Sequence, residues 1–349
     1  MELGERGGRW EAMVGRRSPS GGGVVQRYDG FGVRYGLPMG VGVSVTAGFP
    51  VRFGDPLRVH TDRFFAGVAV DLEFARSVFV EIFGAYYGAE GFVDRVGVGG
   101  EVRYFQDGLS LSGLVDFDAY HRRLNIAFGS ASWQLSPSTG VHGLVDHRAS
   151  PLLLTRNALI GEGFSRLRRL PLSRKQIERL ARDRTASSTL VSVGVNHRTE
   201  GDLFLSGEVG VSDFGEADLG GGVGEVLSLG PEYLVSAQLL ANDLLFDGSV
   251  SSLSARYQWG ETSNRLAFLF DGRSPAIAGF RLGPQLLLDY RVVGASKTVG
   301  VEPVIVAEYG DRGLRADARL QYRWRSELGR SEVGDEKGLF FSLGLWLNF

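Results

Sequence analysis

The sequence predicts an all-β fold, a closed antiparallel transmembrane β-barrel of about 18 strands (16–18) formed by residues 1–349 as one domain. Three observations predict it. Segments of roughly ten residues alternate apolar and polar side chains along nearly the whole chain, which is the period of a strand. Short and long connections alternate between these segments. No apolar run approaches the roughly 18 residues that a transmembrane helix needs, so any membrane crossing is by strands.

The last predicted strand, residues 339–349, shows the alternation clearly. Leu339, Phe341 and Leu343 begin an apolar row that continues to Phe349. Such a row would be an open edge in a soluble sheet, whereas a closed membrane barrel pairs it with the first strand, near Trp10, and turns it to lipid. The ending resembles the closing strand of bacterial outer-membrane β-barrels, whose assembly machinery recognises a C-terminal aromatic. That resemblance makes Phe349 the assembly signal.

Seventeen further segments show the same two-residue period. They are residues 8–16, 28–35, 41–51, 64–74, 78–87, 96–104, 109–119, 124–135, 141–145, 189–195, 203–211, 233–241, 253–259, 266–270, 280–292, 299–309 and 314–324. In the last of these, Arg315, Arg319 and Arg323 alternate with Leu and Ala positions, so we expect the arginines to face the lumen and the apolar residues to face lipid.

The connections give an independent indication of membrane topology. If both termini are periplasmic, every second connection is a short periplasmic turn, and this holds for all of them except residues 271–279. The long connections, including residues 18–26, 53–62, 212–230 and 326–337, then lie on the outer side. A soluble β-sandwich would not sort its loops in this way.

Residues 150–186 interrupt the strands with a basic helical insert. Ser173 precedes Gln176 by three residues, as in a capping box, and Ile177, Leu180 and Ala181 follow at helical spacing. A short helix is also expected near residues 155–160. The insert carries nine cationic and three acidic residues. We expect it to fold into the lumen and constrict it, with Asp71, Glu73, Glu81, Asp116 and Asp118 as counter-charges; a helix on the outside that meets lipopolysaccharide phosphates is the alternative.

Composition excludes several classes of function. The chain has no cysteine and five scattered histidines, which leaves no zinc motif, and a formal net charge of −2 gives no reason to expect nucleic acid. We expect no cofactor. Residues 1–13 contain no apolar signal-peptide core, so we expect either a C-terminal fragment, a start that lies upstream, or a protein outside the membrane.

Six stretches resemble the C-terminal outer-membrane barrel of large proteobacterial proteins that place tetratricopeptide repeats ahead of it, as in exopolysaccharide exporters. The stretches are AGFPV (47–51), DRFFAGVAVDL (62–72), RVGVGGEVRYF (95–105), LVDFDAYHRRLNIA (114–127), HRASPLLLTRNALIGE (147–162) and VSDFGEADLGGGV (211–223). The resemblance implies a bacterial outer-membrane location, with lipid, lipopolysaccharide and the barrel-assembly machinery as partners. It further implies an upstream tetratricopeptide region or periplasmic partner, and an anionic polysaccharide as cargo.

Catalytic motifs are weak. The sequence GGGVGE at residues 220–225 lies between strands, whereas a phosphate-binding loop is followed by a helix. Asp116, Asp118 and His121 could activate water, but lumen carboxylates paired with arginines explain them more simply. His142 and Asp146 have no nucleophile-elbow serine. We therefore expect no enzyme and assign no catalytic residues.

Two functional hypotheses remain. The first is an outer-membrane pore or export channel for an anionic polysaccharide or solute, with the insert as its constriction. The second is a non-conducting barrel that anchors or displays a missing N-terminal periplasmic domain. For the first hypothesis, the predicted lumen and constriction residues are Arg166, Arg168, Arg169, Arg174, Arg179, Arg182, Arg315, Arg319, Arg323, Asp116 and Asp118.

Overall fold

The computed structural model describes most of the chain and confirms the all-β prediction. The described residues are 2–4, 9–18, 21–51, 58–75, 77–201, 203–218, 225–226, 230–244, 247–261, 263–310, 314–328 and 336–347. Within these ranges, nineteen strands belong to one antiparallel sheet, and two short strands pair with each other. No helix in the described part of the chain is long and apolar enough to cross a membrane.

The chain divides into two compact units. The first comprises Met1–Trp133, Gly143–Val191 and Asp213–Ser228, and the second comprises Gln134–His142, Ser192–Ser212 and Leu229–Phe349. The prediction of a single barrel domain stays a prediction.

The first unit is built from consecutive antiparallel strands. They are β1 (Glu2–Gly4), β2 (Trp10–Arg17), β3 (Tyr28–Gly36), β4 (Val41–Pro50), β5 (Arg63–Phe74), β6 (Val78–Ala89), β7 (Phe92–Gln106) and β8 (Leu109–Asp118). Each pairs with the next, and β8 pairs with β9 (Arg123–Ser136). A 3-10 turn, Pro38–Gly40, joins β3 to β4.

Four strands have residues in both units: β9, β10 (Thr139–Ser150), β11 (Ala186–Arg198) and β12 (Leu203–Phe214). The insert lies in sequence between β10 and β11. It contains the 3-10 turns Thr155–Leu159 and Leu167–Arg169 and the helix α1 (Arg174–Asp183). Two short strands, β13 (Ala217–Asp218) and β14 (Glu225–Val226), pair with each other in the first unit.

The second unit continues the consecutive antiparallel pairing. Its strands are β15 (Glu232–Asn242), β16 (Val250–Trp259), β17 (Ser263–Arg273), β18 (Phe280–Val293), β19 (Ser296–Gly310), β20 (Leu314–Leu328) and β21 (Glu336–Leu347). β12 pairs with β15, and each later strand pairs with the next.

All eighteen predicted segments correspond to strands, with shifted ends. β7 extends four residues ahead of its predicted start at residue 96, because the register with β6 shifts at Asp94 and this irregularity breaks the apolar alternation while the strand continues to Phe92. β21 ends at Leu347, so the predicted assembly signal at Phe349 lies outside the described residues.

The second strand that pairs with β2 differs from the predicted one. β2 pairs with β3 along one edge, and over Glu11–Met13 its other edge pairs with β1. The sequence predicted the closing strand on that edge, and β1 was not predicted. Closure of the sheet into a barrel stays a prediction.

Both units expose rows of apolar side chains. In β18, Leu282, Leu286, Leu288 and Tyr290 are exposed, and the residues of the other face, Gly283, Gln285, Leu287 and Asp289, are half-buried. In β5, Phe64, Val68, Val70 and Leu72 are exposed, whereas Phe65, Ala69 and Asp71 on the other face are buried. Because water gives no reason to expose an entire face of Val, Leu and Phe, these strands are suited to an apolar surrounding.

Candidate functional site

The insert forms a small helical layer with its own apolar cluster. Ser173 is the N-cap of α1, and its backbone N–H donates to Gln176 Oε1 at 2.9 Å, in agreement with the predicted helix start. Apolar side chains at helical spacing then turn to one side. The buried cluster comprises Ala158, Leu167, Leu170, Ile177 and Ala181 of the insert, together with Ala89 at the end of β6. The cationic residues of α1 are on the side of the helix that faces away from this cluster.

Backbone and polar contacts attach the start of the insert to β7 and β9. Thr155 Oγ1 donates to the carbonyl oxygen of Val93 at 2.7 Å. The backbone N–H of Arg156 donates to Asp94 Oδ1 at 2.9 Å, and that of Leu153 donates to Asn125 Oδ1 at 3.1 Å. Since Thr155, Asp94 and Asn125 are all buried, these contacts fix the insert over the ends of the two strands.

The later part of the insert contacts the turns that follow β6 and β8. Arg168 Nε donates to the carbonyl oxygen of Glu90 at 2.5 Å, and the Arg174 guanidinium lies 5.3 Å from the ring centre of Phe92. The Tyr120 hydroxyl, in the β8–β9 turn, donates to Glu178 of α1. Burial and this hydrogen bond raise the pKa of Tyr120 to about 12, so the hydroxyl stays a donor at neutral pH.

A buried ionic group lies beside these contacts. Arg95 of β7 pairs with Asp116 of β8, and both side chains are almost fully buried. Asp118 accepts hydrogen bonds from the backbone N–H groups of Tyr120 and His121 at 2.9 and 3.0 Å, which fixes the β8–β9 turn. Asp116 and Asp118, predicted in the lumen, are therefore both occupied by local partners.

His121 connects the turn to the insert. Its Nε2 is 3.2 Å from Thr155 Oγ1, and the ring stacks edge-on against Tyr120. Burial lowers the pKa of His121, although the neighbouring Asp118 carboxylate opposes this shift. The imidazole is thus favoured in its neutral form, which suits the contact with Thr155.

The cationic residues of the insert divide into two groups. Arg156 pairs with Asp94, and the buried Arg184 pairs with Glu162 at 2.5 Å, so both hold the fold together. The predicted constriction residues are on the surface: Arg166, Arg168, Arg169, Arg174 and Arg179 are exposed, and Arg182 is half-buried. Among these, Arg179 lies 3.8 Å from Asp183, one helical turn away.

The predicted counter-charges do not pair with the insert. Asp71 pairs with Arg34 of β3 at 2.6 Å, and Asp116 pairs with Arg95. Glu81 accepts a hydrogen bond from the backbone N–H of Gly22 at 2.7 Å. Three of the expected counter-charges are therefore engaged outside the insert, by Arg34 of β3, by Arg95 of β7 and by a backbone N–H of the loop before β3, and the inward fold of the insert stays a prediction.

The predicted strand arginines lie in the second unit and have strand partners. Arg323 Nε donates to Glu302 Oε2 at 2.9 Å. The Arg315 guanidinium lies 5.7 Å from the ring centre of Trp346. Arg319 is exposed, opposite Ser342 in the register with β21. In that register, Leu320 is opposite Phe341 and Ala318 is opposite Leu343, so the apolar row and the arginine row are on opposite faces of β20.

A second segment, the glycine strap Gly21–Val25, covers the polar face of β5 and β6 and was not predicted. The Tyr87 hydroxyl donates to the carbonyl oxygen of Gly23 at 3.2 Å, and Val24 packs with Tyr28, Phe65, Ala85 and Tyr87. Gly23 has φ +69°, and a Cβ there would lie 2.4 Å from Phe83 Cδ2. Three consecutive glycines were the available signal, because they permit positive φ and close approach.

No group of three or more metal-ligating side chains occurs among the described residues. Asp116, Asp118 and His121 are each engaged in the turn and insert contacts above. The prediction that the chain is not an enzyme stays a prediction.

Comparison with solved structures gives several likenesses, three of which are described here. No family model matches the chain, and no curated protein matches it. A bacterial polysaccharide outer membrane secretin aligns with TM-score 0.38 and 8% identity, over 82% of this chain and 91% of the other. OccK10 (OpdN) of Pseudomonas aeruginosa aligns with TM-score 0.39 and 11% identity, over 93% and 95%.

The third likeness is to Wzi, described as an outer-membrane, carbohydrate-binding β-barrel involved in group 1 capsule assembly in Escherichia coli. It has TM-score 0.38 and 10% identity, over 96% of this chain and 82% of the other. The two descriptions that state a location both name the outer membrane, which is the location that the sequence predicts for this chain.

Proposed function

We propose that the chain is a bacterial outer-membrane β-barrel that acts as a pore or export channel for an anionic solute or polysaccharide. The observation that carries this is the two-faced strand, with exposed apolar rows on one face and ionic groups on the other, in both units. Charge on the lipid face of a barrel costs roughly 2–4 kcal/mol at mid-membrane depth, so the apolar rows belong to lipid and the ionic rows to the interior.

The insert is proposed as the constriction. It is held against the ends of β7 and β9 by buried hydrogen bonds, so it has the attachment of a fixed structure rather than of a free loop. Arg166, Arg169 and Lys175 are exposed and make no ion pair with another described residue. Exposed guanidinium and ammonium groups that lack a local carboxylate attract anions, so we expect the pore to prefer anions over cations.

Planar-bilayer recording of the full chain tests this function. In a potassium chloride gradient, the reversal potential of the wild type should indicate anion preference. The triple variant Arg166→Glu, Arg169→Glu and Lys175→Glu should shift it toward cations. Three exposed residues are changed and the buried cluster is left intact, so folding is preserved. The matched control is Arg122→Glu, Arg198→Glu and Arg291→Glu, which makes the same charge change outside the insert.

The outcomes separate the two hypotheses. Equal shifts in both triple variants would contradict a constriction at the insert. A wild type without conductance would favour the non-conducting anchor for a periplasmic domain. If the insert narrows the conduction path, removal of residues 163–184 should increase the conductance above that of the wild type.

The assembly signal is a separate part of the proposal. Phe349→Asp should reduce insertion into the outer membrane, because the barrel-assembly machinery reads a terminal aromatic. Lipopolysaccharide and lipid are the proposed surroundings. Equal amounts of heat-modifiable barrel in outer-membrane fractions from the wild type and the variant would count against the location.

A further inference from the structure

A cleft in the second unit is bordered by three arginines. It has a volume of about 360 Å³ and lies where β17 to β20 reach the connection between β17 and β18. Arg273, Arg281 and Arg315 border it together with Glu308 and Tyr309. Three guanidinium groups and a single carboxylate around one space make the cleft locally cationic.

The strand register explains why the arginines converge. Arg281 of β18 is directly opposite Glu308 of β19, and side chains at directly opposite positions lie on the same face of a sheet. Arg273 ends β17 and reaches Glu308 at 3.4 Å, and Arg315 begins β20. The three cations thus come from three different strands.

Among the residues that border the cleft, Glu308 is the one carboxylate, and it is shared, since Arg273 contacts it and Arg281 lies opposite it. Asp317 and Asp271 lie outside this lining: Asp317 is opposite Glu308 on β20, and Asp271 accepts a hydrogen bond from Gln285. Arg281 is exposed and makes no hydrogen bond or ion pair within the described part of the chain. One guanidinium therefore has its donors available for a ligand.

We propose that this arginine cleft binds an oxyanion, the carboxylate or phosphate of a small anionic sugar or solute. Guanidinium groups match the paired oxygens of either group, and charge-assisted hydrogen bonds are stronger than neutral ones. The site extends the proposed function by naming the solute class, and binding does not depend on conduction.

Calorimetric titration of the full chain in detergent micelles tests the site. The probes are D-glucuronate and inorganic phosphate, and D-glucose is the neutral control. We expect saturable binding of at least one anion and none of glucose. Arg281→Ala should weaken binding by about tenfold or more, because it removes a charge-assisted contact. Arg315→Ala is a second variant with the same expectation.

Arg291→Ala is the matched control. Arg291 lies on β18 with the same parity as Arg281, ten residues away, outside the cleft, and its loss should leave affinity unchanged. Tighter binding of glucuronate would indicate that the ligand group is a carboxylate, and tighter binding of phosphate would indicate a phosphate. Absence of saturable binding by both anions would overturn the site, and so would equal weakening by Arg281→Ala and Arg291→Ala. Because binding and conductance are measured separately, failure of one proposal is distinguishable from failure of the other.

Discussion

Arg95 and Asp116 in the first unit, and Arg265 and Asp289 in the second, each join neighbouring strands through a guanidinium–carboxylate pair. The side chains of the first pair are 0% and 2% exposed, whereas those of the second are 51% and 16% exposed. Strand pattern does not account for this difference, because both pairs lie on the polar face of alternating strands. The segments that connect the strands account for it. Tyr87, which contacts the glycine strap, lies beneath the Arg95 guanidinium, and the insert is hydrogen-bonded to the adjacent Asp94.

The largest expected effect follows from removing the carboxylate of the buried pair. Asp116→Asn leaves Arg95 charged and buried without compensation, and we expect a loss of roughly 3–5 kcal/mol of unfolding free energy. Urea titration in micelles, followed by tryptophan fluorescence, measures it. A loss below about 1 kcal/mol would mean that water reaches Arg95 and that the coverings are loose.

Gly23→Ala tests the glycine strap. The new Cβ would meet Phe83 and must also adopt a positive φ, so we expect a loss of about 1–3 kcal/mol. Gly294→Ala, in the β18–β19 turn, is the control because its φ is +56° but nothing lies within 4 Å of the new Cβ. The strap variant should lose more than the control. Equal losses would attribute the whole effect to backbone strain and none to contact with β6.

The attachment of the insert should depend on pH. The folded-state pKa of His121 is lowered from 6.5, so a detached insert binds the proton more readily than the packed one. Stabilisation is therefore complete above that ordinary value and decreases as the pH falls toward the lowered one. Asp118 and Glu178 moderate this effect, whereas Arg182 strengthens it.

Hydrogen exchange of residues 151–185, corrected for intrinsic rates, measures this change at about pH 7.5 and about pH 5.5. Faster exchange at the lower pH is expected in the wild type and not in His121→Asn. Persistence of the pH dependence in the variant would assign it to another group.

The smallest effect is expected at the exposed pair. Asp289→Asn should cost about 0–1 kcal/mol, because water and salt already screen Arg265. The same urea titration applies. If this loss equalled that of Asp116→Asn, the difference in burial between the two ion pairs would not affect their contribution to stability.

The strands were predictable because their signal is local. In β20, Arg315, Arg319 and Arg323 mark one face and apolar residues mark the other, and a two-residue period needs no knowledge of neighbours. The start of α1 was equally local, since Ser173 and Gln176 contact one another. These features depend on residues that are close in sequence.

The remaining features depend on partners that are distant in sequence. Nothing local distinguishes Arg184, which pairs with Glu162 in a buried position, from Arg166, which is exposed. The pairing of Asp71 with Arg34, which removed the expected counter-charge, likewise joins strands that are not consecutive. The arginine cleft was missed because its members come from three strands and only register brings them together.

The glycine strap also has a consequence for the order in which the chain assembles. Gly22 contacts Glu81, 59 positions later, and Thr155 contacts Val93, 62 positions earlier. Many consecutive strands, by contrast, are joined by connections of only a few residues, as β5 to β9 are, at low loop-closure cost. The strap therefore cannot settle until β6 is in place, nor the insert until β7 is. We therefore expect the sheet to form as a succession of hairpins, with the glycine strap and the insert added last.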